Sequence, residues 1–332
     1  MRKELSQQIE KFTPYPIRFT PLVMERIWGG TKLNTLLNKD LGRVTKAGES
    51  WEISTIENSQ SIISNGKYNG ISLSDLISKW PQETLGVNSV VRFGVEFPLL
   101  VKFLHSQDNL SIQVHPNDDV AQKRHNSLGK TELWYVLDSE PNSKIINGFS
   151  QNVTQKEYLN RLNDGSLLSI LNDIPVSKGD IYHIPTGIIH ALGAGIIVAE
   201  IQQRSDITYR IFDYDRVDKN GCKRELHTEL AIDVIDYNKT SPLNHKDEAI
   251  YNTPFFNVKR VDVVETITYD TTQRNCFTIF ICVEGNGEIN FNNDYQKITL
   301  GETLLIPSSL THFALKPSCN NFKLLEVSII PF

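Results

Sequence analysis

Two segments decide how this chain folds: GDIYHIPTGIIH at residues 179–190 and GETLLIPSSLTH at residues 301–312. In both, a Gly is followed six residues later by a Pro and five residues after that by a His: Gly179–Pro185–His190 and Gly301–Pro307–His312. The Gly opens a turn and an apolar strand follows. The Pro, which has no N–H to give a sheet, ends that strand, and the chain re-enters with an inward-pointing His. Two copies imply two similar β units. The polar stretch at 238–250 separates them, which divides the chain into residues 1–240 and 241–332.

The surrounding sequence supports a mainly β protein. Short apolar runs bounded by Gly, Pro and Asn recur at FPLLVKF (97–103), LSIQV (110–114), ELWYVL (132–137), GIIVAEIQ (195–202) and TYRIF (208–212). They continue after residue 250 with FFNVKRVDVV, FTIFICVE, GEINFN, ETLLI and FKLLEVSII. Many short strands with turn signals between them suggest a sandwich or barrel. Two stretches read as helical: SLSDLISKW (72–80), which opens on a Ser cap, and Thr154–Leu171, which Gly165 breaks in two. The Gly–Pro–His repeat resembles the second motif of the cupins, small double-sheet jelly rolls. That resemblance implies two cupin jelly-roll barrels with the helices packed on the outside of the first.

Composition excludes several function classes. The 332 residues are 39% apolar and 22% charged, with a net charge of −5. No basic run offsets that charge, so a nucleic-acid or anionic-membrane surface is not expected. No apolar run approaches the roughly 18 residues of a membrane span, and MRKELSQQIEKF does not read as a signal peptide. Cys222, Cys276, Cys282 and Cys319 lack CxxC spacing, which suits free thiols in a reducing cytoplasm.

The residues that carry chemistry lie in the first unit. In LSIQVHPND, apolar Leu110, Ile112 and Val114 alternate with Ser111, Gln113 and His115, so a strand projects Gln113 and His115 from one face. Glu132 opens the next apolar strand, and His190 ends the first copy of the repeat. An amide, two imidazoles and a carboxylate form a ligand set for a divalent cation such as Zn²⁺. The second copy has His312 but no HxH or matching Glu nearby, and reads as a metal-free structural repeat.

These motifs resemble the type I mannose-6-phosphate isomerases, particularly the short bacterial form. The likeness runs from WGG (28–30) and GESWEIS (48–54) through FPLLVKF, LSIQVHPND and GKTELWY to HALGAG and AEIQQRSDITYRIFDYDR (199–216). It covers most of the first 220 residues, while the C-terminal unit is similar mainly in pattern. The resemblance implies one zinc ion per chain held by Gln113, His115, Glu132 and His190. It matches the family's essential arginine to Arg210, the aspartate of the same segment to Asp206, the lysine before the metal Glu to Lys130, and the Glu of EIQQ to Glu200. Glu52 stands at a position that varies in the family, and no function is read into it.

The implied reaction interconverts mannose 6-phosphate and fructose 6-phosphate through a cis-enediol, so the partner is a small sugar phosphate. Glu200 is the first candidate for the base, and Lys130, its amine lowered by the nearby cation, is the rival. Arg210 keeps its proton and clamps the phosphate or the enediolate. Plainer readings stand beside these. His115 is alternatively a surface histidine, Glu132 a salt-bridge partner of Lys130, Lys130 a solvated side chain, and Glu200 an ion-pair partner of Arg204 or Arg210. Lys102 is costly to bury unpaired, so its amine is expected in the same pocket, near the phosphate. His183 reads as a core residue, and His105, His125 and His227 as surface residues. Trp28, Trp51, Trp80 and Trp134 read as core packing. Two other classes remain: a cupin oxygenase with a His/His/Glu triad around Fe²⁺, and a sugar-binding cupin without catalysis. Gln113, Lys130 and Arg210 count against the first, and the intact set of Glu132, His190 and Arg210 counts against the second.

Overall fold

The computed structural model describes residues 11–218, 220–246 and 249–329. Residues 1–10 of the amino-terminal stretch and residues 247 and 248 of the polar boundary lie outside this description. The fold is mainly β and built from four antiparallel sheets. In the first unit, a six-stranded sheet faces a five-stranded one. Its order is 181–184, 132–139, 196–203, 99–106, 47–53, 22–30, and that of the five-stranded sheet is 209–212, 112–114, 190–192, 144–149, 171–175. The C-terminal unit pairs a seven-stranded with a four-stranded sheet. The sheets do not close into barrels, which corrects the expected geometry. Among the described residues the six-stranded sheet ends in the edge strands Ile181–Ile184, bonded outward only by Asn244 and His245, and Leu22–Gly30, and its strands do not pair with the facing sheet. Each unit is therefore a jelly-roll sandwich of the cupin type.

The repeat lands where its residues predict. Gly179 and Gly301 take positive φ (+89° and +85°), which a side chain would strain. The strands Ile181–Ile184 and Thr303–Ile306 then end before Pro185 and Pro307. His190 turns inward and is fully buried. His312 does not: its side chain is 72% exposed beside Asp270, so the expected inward histidine of the second copy faces solvent.

Alternation along the strands sorts two cores. Leu133, Tyr135 and Leu137 point to the back of the six-stranded sheet, where they meet Ile279, Ile281 and Val283 from the back of the seven-stranded sheet. One continuous apolar core thus joins the two units. Burying each such side chain contributes about 1.5–3 kcal/mol. Helices Leu73–Lys79, Pro81–Leu85 and Val87–Phe93 pack beside it, and Leu76, Ile77 and Leu85 enter that core, with Ser72 capping the first helix through the Asp75 N–H at 3.0 Å. Trp134, Val136 and Val198 point the other way, into the space between the two N-terminal sheets.

The segment 154–171 is helical only in part. A helix spans Gln155–Asn163, Gly165 breaks it at φ +77°, and a 3₁₀ turn covers Leu167–Ile170. Leu171 corrects the expectation by starting a strand opposite Phe149. The helix packs outside the five-stranded sheet through Tyr158. The amino-terminal strand Ile17–Thr20 joins the C-terminal unit instead of the first, with Ile17 opposite Leu305. Glu52, given no role from sequence, is buried and paired with Lys39 at 2.7 Å, and Lys39 also donates to the Gly301 carbonyl.

Candidate metal centre

The centre lies between the facing N-terminal sheets, each supplying half. In the five-stranded sheet Gln113 is opposite His190 on one side and Arg210 on the other. Directly opposed residues share a face, so all three project inward. In the six-stranded sheet, Trp51, Lys102, Glu200 and Trp134 stand in one cross-strand row. Glu132, two residues before Trp134, shares their face.

Local structure fixes the remaining ligand. Pro116 cannot extend the strand Ile112–Val114, and Asn117 caps the helix Asp118–His125 by accepting from the Val120 N–H at 3.0 Å. Asp118 and Asp119 open that helix, Lys123, Arg124 and His125 close it, and Asn126 ends it in the left-handed conformation. The chain then returns: Gly129 N–H donates to Asp118 Oδ1 at 2.7 Å and Lys130 N–H to the Pro116 carbonyl at 3.2 Å. This excursion sets Lys130 against His115.

The geometry is that of a cation site. His115 Nδ1 donates to the Ile207 carbonyl at 3.0 Å and His190 Nδ1 to the Ile188 carbonyl at 2.8 Å. Both Nε2 lone pairs therefore point inward, the orientation that a backbone carbonyl on the far ring nitrogen imposes on a metal-binding imidazole. The two Nε2 atoms are 3.1 Å apart, and Glu132 Oε2 and Oε1 lie 3.4 Å and 3.3 Å from them. All three residues are fully buried, and their ligand atoms lie within 4.8 Å of one another. Two acceptor nitrogens facing each other beside a carboxylate call for positive charge, and the Lys130 ammonium, 3.1 Å from His115 Nε2, meets part of that need. Neither Glu132 oxygen has a well-aligned hydrogen-bond donor, although Lys130 Nζ is 2.9 Å from Oε2. The donor set thus fits a borderline divalent ion. The Gln113 amide lies 3.3 Å from His190 Nε2, where a rotation of the amide presents its oxygen to the same point.

Electrostatics agree. Burial and the Lys130 ammonium push His115 down to about 3, and burial lowers His190, so both imidazoles are neutral ligands. Burial alone would raise Glu132, but Lys130 and His115 hold its carboxyl well below the usual range. Burial would likewise lower Lys130, but Glu132 and Glu200 raise it, so its amine is held protonated instead of being lowered. Burial and the Glu132 charge raise Glu200.

A cleft of about 620 Å³ opens above these groups, with Gln113, Lys130, Lys102, Glu200, Arg210 and Arg224 on its walls. Glu200 accepts from Trp134 Nε1 at 2.9 Å and faces Lys102 Nζ at 3.2 Å, while Lys102 also lies 4.9 Å over the Trp51 ring. Its ion pair is with Lys102, and Arg204 instead joins Glu96. Arg210 Nη1 donates to the Glu225 carbonyl at 2.7 Å, and its buried Nε lacks an acceptor. Among the described residues, no carboxylate forms an ion pair with Arg210. Asp206 lines the same cleft.

Other assignments change. His105, expected at the surface, is fully buried and accepts from the Lys32 N–H at 3.3 Å. His183 lies against Tyr251, away from the centre. The four tryptophans are buried, but Trp28 and Trp51 also line the cleft. Three residues had no role in the sequence reading. Glu49 is forked by Arg26 at 2.9 Å and 3.1 Å. Burial would raise its carboxyl, but Lys102 and Arg26 hold it down to about 2. Asn147 is opposite His190 with its Oδ1 unpartnered, and Arg224 is forked by Asp213. Only the GESWEIS motif hinted at any of them.

Known proteins with this architecture resolve what the cleft belongs to. Residues 17–131 match the profile described as phosphomannose isomerase type I, catalytic domain, and residues 246–323 match mannose-6-phosphate isomerase, cupin domain. The mannose-6-phosphate isomerase ManA of Bacillus subtilis is 34% identical over 318 residues, spanning 92% of this chain and 96% of that protein. The crystal structure of the mannose 6-phosphate isomerase from Bacillus subtilis superposes with a TM-score of 0.84 at 31% identity, over 95% of this chain and 99% of that one. A mannose 6-phosphate isomerase bound with zinc and yttrium shares the fold at 17% identity and a TM-score of 0.74, over 95% of this chain and 99% of that one. With the identity sustained along both sandwiches, neither an oxygenase nor a non-catalytic sugar binder is favoured, and the chain belongs to the type I mannose-6-phosphate isomerases.

Proposed function

We propose that the cleft interconverts mannose 6-phosphate and fructose 6-phosphate by moving a proton between C2 and C1 through a cis-enediol, with Gln113, His115, Glu132 and His190 holding one Zn²⁺ per chain. When bound, the ion would supply positive charge toward the substrate oxygens and the developing enediolate. Residues 1–240 carry this chemistry, and residues 241–332 form a metal-free cupin.

Glu200 is the carbon acid's partner. Its raised pKa brings it toward the working pH, Trp134 fixes one of its oxygens, and the other lacks an aligned donor. Lys130, kept as an ammonium by Glu132 and Glu200, is suited to donate a proton to a substrate oxygen and not to remove one from carbon. Arg210, across the strand pair from Gln113 and with its Nε unclaimed, stabilises the developing enediolate charge. The observation that carries this proposal is the buried His115–Glu132–His190 cluster, whose two inward Nε2 atoms and carboxylate converge at the base of a cleft that also presents Glu200.

The test is a coupled assay of mannose 6-phosphate turnover on protein stripped by chelator and then resupplied with Zn²⁺, with metal content measured at each stage. Activity is expected to vanish on stripping and return near one equivalent of zinc. Full turnover by protein shown to be metal-free would overturn the proposal.

A further inference from the structure

The cleft holds more guanidinium groups than the proton transfer uses, and they differ in which of their donors are free. Every nitrogen of Arg26 is engaged: Nε and Nη2 donate to Glu49, and Nη1 donates to the Glu25 carbonyl at 3.1 Å. Arg216, beside the cleft and not on its wall, is also engaged at every nitrogen, through Asp213 and the Asn109 carbonyl. Arg224 is not. Asp213 takes its Nε at 2.7 Å and its Nη2 at 2.5 Å, and among the described residues Nη1 has no acceptor. Its side chain lines the cleft and is 23% exposed. Arg210 and Arg224 are thus the two guanidiniums on the cleft wall that keep a nitrogen without an acceptor among the described residues.

Their positions separate their tasks. Arg210 stands opposite Gln113, at the metal end. Asp213, which holds Arg224, is three residues further along, past a register shift between Arg210 and Phe212, a spacing of at most about 10 Å. The return segment is tied back to this strand where the His227 N–H donates to the Arg210 carbonyl at 2.7 Å. An extended six-carbon sugar reaching from the metal end would bring its far terminus toward Arg224. The local charge also suits a phosphate. Arg210, Arg216 and Arg224 surround one buried carboxylate, Asp213, which leaves two positive charges; the Glu225 carboxylate nearby is 83% exposed and screened by water. A phosphate monoester carries roughly −1.5 to −2 at neutral pH.

We propose that Arg224 is the residue that recognises the substrate's phosphate, and that Asp213 is a positioning residue that locks its fork in place. This rests on the isomerase reading of the cleft. A preset guanidinium loses little freedom on binding and can offer a charge-assisted hydrogen bond in a fixed direction. Lys102 is less suited to the task, because Glu200 and the Trp51 ring already engage its amine.

The test uses zinc-loaded wild type, Arg224→Ala, Arg224→Lys, Asp213→Asn and the Asp213→Asn/Arg224→Ala double variant. Steady-state kinetics with mannose 6-phosphate and calorimetric titration with inorganic phosphate are run on the same preparations, with metal content and thermal melting as controls. Both Arg224 variants are expected to raise KM about tenfold or more and to weaken phosphate binding by a similar factor, with kcat and zinc content little changed. The lysine variant keeps the charge and the fold, so its KM tests the fork itself. Asp213→Asn should raise KM by less, and should add nothing in the Arg224→Ala background, because Asp213 acts through Arg224. Unchanged KM and phosphate affinity in both Arg224 variants, with an active wild type, would overturn the inference and leave the isomerase reading intact. A fall in kcat at constant KM would also overturn it. If the wild type fails to turn over mannose 6-phosphate but loses phosphate binding on Arg224 substitution, the isomerase reading fails and the anion site stands.

Discussion

Replacing Glu132 with Leu separates the carboxylate's two duties, holding a cation and balancing Lys130. Leu fills a similar volume but has no oxygen for an ion and no charge for the ammonium 2.9 Å away. Lys130 is 4% exposed, so its charge stays out of water, with Glu200 and then Glu49 as its remaining carboxylate neighbours. Removing one partner of a buried ion pair costs about 3–5 kcal/mol. The apolar core that joins both units makes a single unfolding transition the expectation. For a chain of this length the unfolding entropy is roughly 0.7 kcal/mol/K, so the metal-free variant should melt about 4–7 °C below metal-free wild type. Zinc at about one hundred times its dissociation constant should stabilise the wild type by about 2.7 kcal/mol, a further rise of about 4 °C. The variant should show no such rise. Differential scanning calorimetry of both proteins, with chelator and with zinc, reads the two effects separately. An equal zinc-induced shift in the variant would refute Glu132 as a ligand. An unchanged metal-free melting temperature would refute the buried pair with Lys130.

Further outcomes concern the chemistry and its pH dependence. Arg210→Ala should lower kcat far more than it raises KM, with zinc content unchanged by elemental analysis; a variant with wild-type kcat/KM would remove Arg210 from the reaction. Glu200→Gln should abolish most turnover. In the wild type, activity should fall as pH drops through a Glu200 pKa raised by burial and by Glu132, because the base then carries its proton. A pH–rate profile in which that acid limb stays at the ordinary carboxylate range would count against the assignment. Glu49 titrates near 2 in the folded chain, lowered against the burial penalty by Lys102 and Arg26. Its stabilising contribution is present above the ordinary carboxylate pKa and is lost as pH falls from about 4.5 toward 2. Glu49→Gln should therefore flatten the acid limb of stability in denaturant titrations, and an unaltered limb would exclude it.

What the sequence revealed depended on whether the signal was local. Gln113 and His115 were legible because strand alternation alone sets them on one face, and Glu132 because a carboxylate opening an apolar strand has few other uses. The repeat around His190 exposed the sandwich pair. Its second copy misled, because identical spacing does not decide which way His312 turns once the chain leaves Pro307. Leu171 continued a helical leucine pattern, yet pairing with Phe149 overrode it. His105 read as a surface residue, but its strand is covered on both faces, which the residue type alone does not reveal. Arg224 and Glu49 were not found because their positions depend on salt bridges to Asp213 and Arg26, contacts that no sequence periodicity encodes.

The strand Ile17–Thr20, which belongs by position to the first sandwich but pairs into the second, has a bearing on biogenesis. Its partner, Thr303–Ile306, leaves the ribosome only after nearly all of the intervening chain has been made. Until then Ile17 and Phe19, both buried in the finished protein, have only the two-residue strand Ile62–Ile63 beside them. Closure of so long a loop is a slow, late event, and it leaves an unpaired edge exposed while synthesis continues. The second sandwich is thus sealed by a strand from the start of the chain, so a chain stalled before residue 303 keeps a sticky edge strand that chaperones or proteases can engage.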